Sequence, residues 1–278
     1  MTDRYCVFGN PIGHSKSPVI HAAFARQTGE DISYAATLAP LEGFRESVME
    51  FVAAGGRGAN VTLPFKEEAY RLVDEVSARA ALAGAVNTLI VTRNGIRGDN
   101  TDGVGIMRDI TENLGCPVSG RRVLLLGAGG AARGVIGPLL DAEPQVLAVA
   151  TRTKEKAVSL GRSFGALGPI LGASYPELAG ESFDIVINAT SASIDGELPP
   201  LPDGIYRPGS LAYELMYGHL DTPFLDHARQ HGAEFAVDGW GMLVEQAAES
   251  FFLWRGVRPD CSDLLEKVGD GAVCSITA

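Results

Sequence analysis

Four short stretches in the first hundred or so positions carry polar residues where a plain α/β core would place apolar ones. They are the opening loop GNPIGHSKSP (Gly9 to Pro18) with Ser15 and Ser17; ANVTLPFK with Asn60, Thr62 and Lys66; GAVNT with Asn87; and GDNTDGVG with Asn100, Thr101 and Asp102 in a Gly-flanked turn. Hydroxyls, amides, an ammonium and a carboxylate can together hold a small polar ligand and move a proton on it. Each residue alone has an ordinary explanation as a cap, an Asx-turn or a surface lysine. Their convergence points to a site. Ligands of open α/β sheets sit outside the carboxyl ends of the strands, and Thr62, Lys66, Ser15 and Ser17 fall near such ends.

A second constellation lies mid-chain, in RRVLLLGAGGAARGVIGPLL. Gly127-Ala128-Gly129-Gly130-Ala131-Ala132 fits G-x-G-x-x-A between an apolar strand (Val123 to Leu126) and a small-residue helix, the context a dinucleotide fingerprint requires. Gly127 permits the tight turn, Gly129 lets backbone N–H groups approach a pyrophosphate, and Ala132 permits close helix–strand packing. The helix N-terminus adds partial positive charge. The next strand ends in Thr151-Arg152-Thr153-Lys154-Glu155-Lys156, without the acid that holds the ribose 2′-OH in NAD sites. Arg152, with Lys156, favours the 2′-phosphate of NADP; Lys154 reads as an ordinary surface lysine.

The elements that must position these groups follow from pattern. RYCVFGN reads as a strand and SPVIHAAFARQTG as a helix, with Ser17 as N-cap, Pro18 at the first helical position and Gly29 at the end. ISYAATLA predicts a strand and EGFRESVMEFVAAGG a helix closed by Gly55 and Gly56. GANVTL predicts a strand, PFKEEAYRLVD a helix begun by Pro64, VSARAALAGA a short helix, and VNTLIVTRNGIRGDN a hairpin turning at Asn94-Gly95. This rhythm implies an α/β domain with a largely parallel sheet. QVLAVATRT, FDIVINATS, PGSLAYELMY and EFAVDG continue as strands, with KEKAVSLGRSF as a helix, in a doubly wound pattern. WGMLVEQAAESFFLWRG is helical and is expected to pack back across the first domain. The expected domains are 1–103 with 240–278, and 104–239.

Composition bounds the rest. At 278 residues, 46% hydrophobic and 21% charged, the chain reads as globular and two-domain. A net charge of −11 repels phosphate backbones, so nucleic acid is not an expected partner. Cys6, Cys116, Cys261 and Cys274 are widely spaced and suggest neither a disulfide framework nor a metal site. MTDRYCVFGN lacks the features of a signal peptide and no run approaches about 18 apolar residues, so the cytoplasm is expected and a membrane partner is not. The sequence leaves the oligomeric state open, a homodimer included.

GNPIGHSKSPVIH, GANVTLPFK, AGAVNT, GDNTDG, LGAGGAARG, ATRT, INATS and DGWGMLVEQAAESFFLWRG, in this order, resemble the shikimate dehydrogenase family over essentially the whole chain. The resemblance implies an α/β substrate domain, a Rossmann-type NADP domain and C-terminal helices returning to the first. It implies Lys66 and Asp102 as the catalytic pair, Ser15 and Ser17 on the substrate carboxylate, Thr62, Asn87 and Gln246 on the substrate oxygens, and Tyr217 near carboxylate and nicotinamide. It implies NADP held by Gly127, Ala128, Gly129, Gly130, Ala131, Thr151, Arg152, Thr153 and Lys156, with Thr190, Met216, Gly239 and Met242 also at the cofactor. The sequence departs from the family pattern at Thr151 (usually Asn), at Ser193 (often Gly), and at Glu214-Leu215 (often Asp-Met).

The implied activity is reversible NADPH-dependent reduction of 3-dehydroshikimate to shikimate, in the pathway to chorismate and the aromatic amino acids. Lys66 as an ammonium is the natural proton donor, with Asp102 to position it and accept from a substrate hydroxyl, and the sequence leaves open which of the two moves the proton. Three alternatives stand beside this reading. They are a quinate or dual-specificity enzyme, a non-catalytic NADP-binding homologue, and a methylene-tetrahydrofolate-type dehydrogenase, in which HSKSP would have no obvious job.

Overall fold

The computed structural model describes residues 2–218 and 222–266; Cys274 and the last residues of the expected first domain lie outside them. Two compact units emerge. The first runs up to Gly105 and resumes at Val244; the second runs from Ile106 to Leu243.

The first unit contains β1 (Asp3–Gly9), α1 (Ser17–Thr28), β2 (Ile32–Leu38), α2 (Phe44–Ala53), β3 (Gly56–Val61), α3 (Lys66–Leu72), β4 (Glu75–Val76), α4 (Ala78–Ala83), β5 (Thr88–Thr92) and β6 (Gly95–Asp99), and α5 (Asp102–Arg108) follows. The sheet order is β2-β1-β3-β5-β6-β4. Only β5 runs against its neighbours; β2, β1 and β3 pair in parallel, as do β4 and β6. That reversal matters for the site. Register pairs Asn60 of β3 with Thr88 and Thr88 with Asp99. The start of β5 therefore lies beside the ends of β3 and β6, and one sheet edge collects the residues after β3, before β5 and after β6. Phe8 pairs with Val61, so the loop after β1 leaves at the same edge.

Several local expectations shift. Ser17 does not cap α1. The cap position is Lys16, and Ser17 is the first helical residue, its N–H 3.3 Å from Ser15 Oγ. Gly29 ends the helix with φ 72°, as a left-handed glycine should. Gly56 opens β3 instead of closing α2, because a side chain there would strike the Phe51 ring. Helix α3 begins at Lys66, not Pro64: Phe65 N–H donates to Thr62 O at 3.0 Å, and that turn takes up the intervening residues. In the hairpin Thr92 pairs with Gly95, so Arg93 and Asn94 form the turn and Gly95 starts β6. The core of this unit is aromatic: Phe44 stacks on Phe65 at 4.7 Å and meets Phe8 edge-on.

The second unit contains β7 (Arg122–Leu126), α6 (Gly130–Asp141), β8 (Val146–Thr151), α7 (Lys154–Phe164), β9 (Ile170–Ser174), β10 (Phe183–Asn188), β11 (Tyr206–Glu214), α8 (Pro223–Gln230) and β12 (Phe235–Val237). The order β12-β11-β10-β7-β8-β9 is parallel throughout, the arrangement of a doubly wound dinucleotide fold. Along β7, Val123 and Leu125 face one core while Leu124 and Leu126 face the other. Burying each such leucine contributes roughly 1.5–3 kcal/mol. The sequence reading passes over β4, β9, α5 and α8. Thr222-Pro223 is the signal for α8, since Leu225 N–H donates to Thr222 Oγ1 at 3.2 Å.

Helix α9 (Trp240–Arg255) starts in the second unit, and from Val244 it belongs to the first, followed by α10 (Ser262–Leu265). There it packs on the first sheet, as expected. Trp254 Nε1 donates to Leu89 O at 2.9 Å, and Arg255 pairs with Asp3 at 2.6 Å and with Glu30. Among the described residues no helix is long and apolar enough to cross a membrane.

Candidate active site

In the first unit Lys66 is the first residue of α3, after β3, and Asp102 the first of α5, after β6. Lys66 Nζ lies 2.6 Å from Asp102 Oδ2, with the two side chains 14% and 5% exposed. The other carboxylate oxygen, Oδ1, accepts from Asn87 Nδ2 at 2.7 Å. Asn87 Nδ2 also donates to Thr101 Oγ1 at 2.9 Å and reaches Gln246 Oε1 at 3.5 Å, and Thr101 Oγ1 donates to Gln246 Oε1 at 3.4 Å. Asn100 holds the turn: its Oδ1 accepts from Asp102 N–H and its Nδ2 donates to Ala85 O. Lys66, Asp102, Asn87 and Gln246, which the sequence implicates together, are thus one hydrogen-bonded group.

Ser15, Ser17 and Thr62 stand on the same sheet edge without bonds to that group. Among the described residues the Ser17 and Thr62 hydroxyls make no hydrogen bond, and Ser15 Oγ only accepts from Ser17 N–H. All three hydroxyls keep a proton to donate. Gly9 is required here, because a Cβ would lie 2.5 Å from the Thr62 methyl. His14 and Lys16 are exposed.

In the second unit Gly127 has φ 111°, and a Cβ there would sit 2.9 Å from Ala189 O. Gly129 caps α6, and a Cβ on it would point into open space. No side chain caps α6 and its first turn holds no acid, so its N–H groups and positive end suit a phosphate. Ala128, Gly130 and Ala131 are half-buried around them, and Ala132 is fully buried against the sheet. Beyond β8, Thr151 Oγ1 donates to Thr153 O at 2.6 Å. Arg152, Thr153 and Lys156 are exposed, and among the described residues no acid pairs with Arg152 or Lys156. Lys154 pairs with Glu177, in keeping with its reading as a surface lysine. These residues fit a dinucleotide carrying an additional phosphate.

Thr190 follows β10, Met216 and Tyr217 follow β11, and Gly239 follows β12, all at carboxyl ends of strands. Thr190 Oγ1 donates to Asn188 Oδ1 at 2.7 Å. Gly239 N–H donates to Met216 O at 3.0 Å, and a Cβ at Gly239 would lie 2.3 Å from Leu215 O. Met242 is buried, its N–H 3.2 Å from Tyr213 Oη.

Family models match along most of the chain: the shikimate dehydrogenase substrate-binding domain over residues 7–89, shikimate/quinate 5-dehydrogenase over 109–194, and the shikimate 5′-dehydrogenase C-terminal domain over 239–263. A shikimate dehydrogenase (NADP(+)) of Dechloromonas aromatica is 60% identical over 268 residues, 96% of this chain and 98% of that one. The chain belongs to the shikimate dehydrogenase family. Among solved structures, an Ael1 enzyme from Pseudomonas putida is 48% identical with a TM-score of 0.89, covering 98% of this chain and 100% of that one. The shikimate 5-dehydrogenase of Thermus thermophilus in complex with NADP(H) and shikimate is 35% identical with a TM-score of 0.84, covering 95% and 98%.

Two departures from the shikimate dehydrogenase pattern touch one another. Ser193 Oγ donates to Glu214 Oε2 at 2.6 Å. Glu214 is wholly buried and also accepts from Asn188 Nδ2 at 2.8 Å and Met216 N–H at 3.2 Å. Burial pushes its carboxyl above the ordinary value, against the pull of those donors. The sequence reading missed further polar residues in the first unit, the buried Thr88 and Ser250 and the half-buried Tyr34. Ser250 was open to discovery: it lies one helical turn from Gln246 on α9.

Proposed function

We propose that this chain is an NADP-dependent shikimate dehydrogenase that reversibly reduces the ketone of 3-dehydroshikimate to shikimate. The observation that carries the reading is Lys66 Nζ held 2.6 Å from Asp102 on the sheet edge that also bears the uncommitted hydroxyls of Ser17 and Thr62. The cofactor, when bound, supplies the hydride. Lys66, as an ammonium, gives a proton to the carbonyl oxygen as negative charge builds there, and its own charge stabilises that oxygen. In the reverse direction the unprotonated amine takes the hydroxyl proton. Asp102 holds the Lys66 side chain in place and accepts from a substrate hydroxyl. Ser15 and Ser17 donate to the substrate carboxylate, Thr62, Asn87 and Gln246 hydrogen-bond the substrate's other oxygens, and Tyr217 lies by the carboxylate and the nicotinamide. A site that bonds several hydroxyls rejects analogues lacking them.

In the second unit the N–H groups at the start of α6, with Gly127 to Ala131, hold the pyrophosphate. Arg152 and Lys156 hold the 2′-phosphate, with Thr151 and Thr153 shaping the strand end, while Thr190, Met216, Gly239 and Met242 bound the nicotinamide side. The buried thiols of Cys6 and Cys261 suit a reducing compartment, which supports the cytoplasm as location. The test is kcat/KM for shikimate and quinate, each with NADP and with NAD. Shikimate with NADP is expected to lead; a lead for quinate or NAD would favour the dual-specificity relative, and no turnover despite NADPH binding would favour a non-catalytic homologue.

A further inference from the structure

Asp102 divides its two oxygens between Lys66 and Asn87, so the aim of the carboxylate depends on Asn87 presenting nitrogen and not oxygen. An amide turned the other way would set oxygen against oxygen at 2.7 Å. Two neighbouring groups decide its direction. The backbone N–H of Thr101, which can only donate, lies 2.9 Å from Asn87 Oδ1, and the Thr88 hydroxyl lies 2.8 Å from the same oxygen.

The Thr88 hydroxyl is itself oriented. Asn60 Nδ2 is 3.2 Å from the carbonyl of Asn87, which can only accept, and Asn60 Oδ1 takes the Tyr34 hydroxyl at 2.7 Å. The Asn60 amide is thereby fixed with its hydrogens toward Thr88 Oγ1 at 3.2 Å and Ser250 Oγ at 3.0 Å. Ser250 Oγ lies 2.9 Å from Thr88 Oγ1 and 3.0 Å from Gln246 O, and its proton given to Thr88 leaves the Thr88 proton for Asn87. With Asn60 donating to it, Thr88 directs its single proton to Asn87. Every link then donates in one direction, from Tyr34 to Asn60 to Thr88 to Asn87 to Asp102. Aligned donors of this kind polarise one another, and in a buried setting a misdirected link leaves polar atoms unpaired.

We propose that Thr88, braced by Ser250, is a positioning residue for the reaction: its hydroxyl fixes the Asn87 amide and through it the Asp102 carboxylate that holds Lys66. The proposal rests on the assignment of Lys66 and Asp102 to the chemistry. Thr88 touches no reacting atom; it acts by keeping a pair of charges aimed.

The test uses the full-length enzyme. Thr88→Val keeps the shape and removes the donor, and kcat should fall by about tenfold or more, as small misplacements at a reacting centre cost. KM for NADP should stay unchanged, and Thr88→Ser should restore kcat. The loss should shrink when Thr88→Val is made in an Asp102→Asn background, by single-turnover measurement, because coupled residues are not additive. If Thr88→Val folds poorly, Ser250→Ala, one link further out, should show a smaller kcat loss with the same unchanged KM for NADP. Lowered thermal stability with kcat within about twofold of wild type would overturn the proposal, since mispositioning at a reacting centre costs far more than that; so would equal losses in both backgrounds. Lys66→Ala separates the two levels: if it keeps kcat, the assignment of the pair fails, whereas if it loses kcat and Thr88→Val does not, only the positioning role fails.

Discussion

Lys66 and Asp102 are 36 positions apart in sequence and 2.6 Å apart in space. What joins them is the reversed strand β5. Running against β3 and β6, it brings the exits of both strands to one edge and places Asn87, the residue before its own start, between them. A fully parallel sheet would have put Asn87 at the opposite edge, away from the carboxylate it holds.

The hydroxyls on that edge give the first prediction. Ser15→Ala should raise KM for shikimate by about tenfold, since a hydrogen bond to a charged group is worth about 1.5–3 kcal/mol. The melting temperature should hardly move, because Ser15 Oγ makes only one 3.3 Å bond within the protein. Initial rates and a thermal melt check both, and the opposite pattern would mark the loop as structural only.

Arg152 gives the second. Its guanidinium has no acidic partner among the described residues, while Lys154 beside it is engaged with Glu177. Arg152→Ala should raise KM for NADP by about tenfold or more while leaving KM for NAD within about twofold, on the same scale for a charge-assisted bond. Equal changes for the two cofactors would remove Arg152 from the 2′-phosphate.

A third prediction concerns stability. His21 is fully buried, stacked on Tyr34 at 4.1 Å and ringed by Phe24, Phe251 and Trp254. Neither ring nitrogen has a hydrogen-bond partner among the described residues, the neighbouring Asn60 hydrogens being committed to Asn87, Thr88 and Ser250. Burial pulls its pKa down to about 3, with Asn60 opposing this. In the unfolded chain the ring titrates at about 6.5. Above that value His21 has no effect on the pH dependence; as pH falls toward 3 the unfolded state gains a proton that the fold refuses. Stability should drop by about 1.4 kcal/mol per pH unit in this window from His21 alone. Urea midpoints at pH 7 and pH 5 should therefore diverge less for His21→Phe than for wild type; equal divergence would contradict it.

Much of this site was legible in the sequence because its residues lie in loops at strand ends, where hydroxyls, amides and charges have no packing role to disguise them. Gly127 was legible for a similar reason, answering a backbone need that a side chain would violate. Thr88, Ser250 and Tyr34 were hidden by their setting. A threonine opening a strand or a serine inside an apolar helix is unremarkable, and only the tertiary pairing of β3 with β5 and α9 makes them one chain of donors. Ser17 misled in the other direction, since Ser-Pro reads as a helix cap while the chain turns one residue earlier, leaving its hydroxyl uncommitted. The edge strand β9 was missed because its short segment, ILGAS, alternates weakly and sits half-buried.

The most direct measurement is kcat for Lys66→Ala in the oxidation of shikimate by NADP, alongside a thermal melt and NADPH affinity to show an intact fold and cofactor site. Loss of the group that takes the hydroxyl proton in this direction should lower kcat by about a hundredfold to ten-thousandfold, the usual contribution of general acid–base catalysis, with melt and affinity unchanged. A kcat near that of wild type in a folded, NADPH-binding variant would contradict the account.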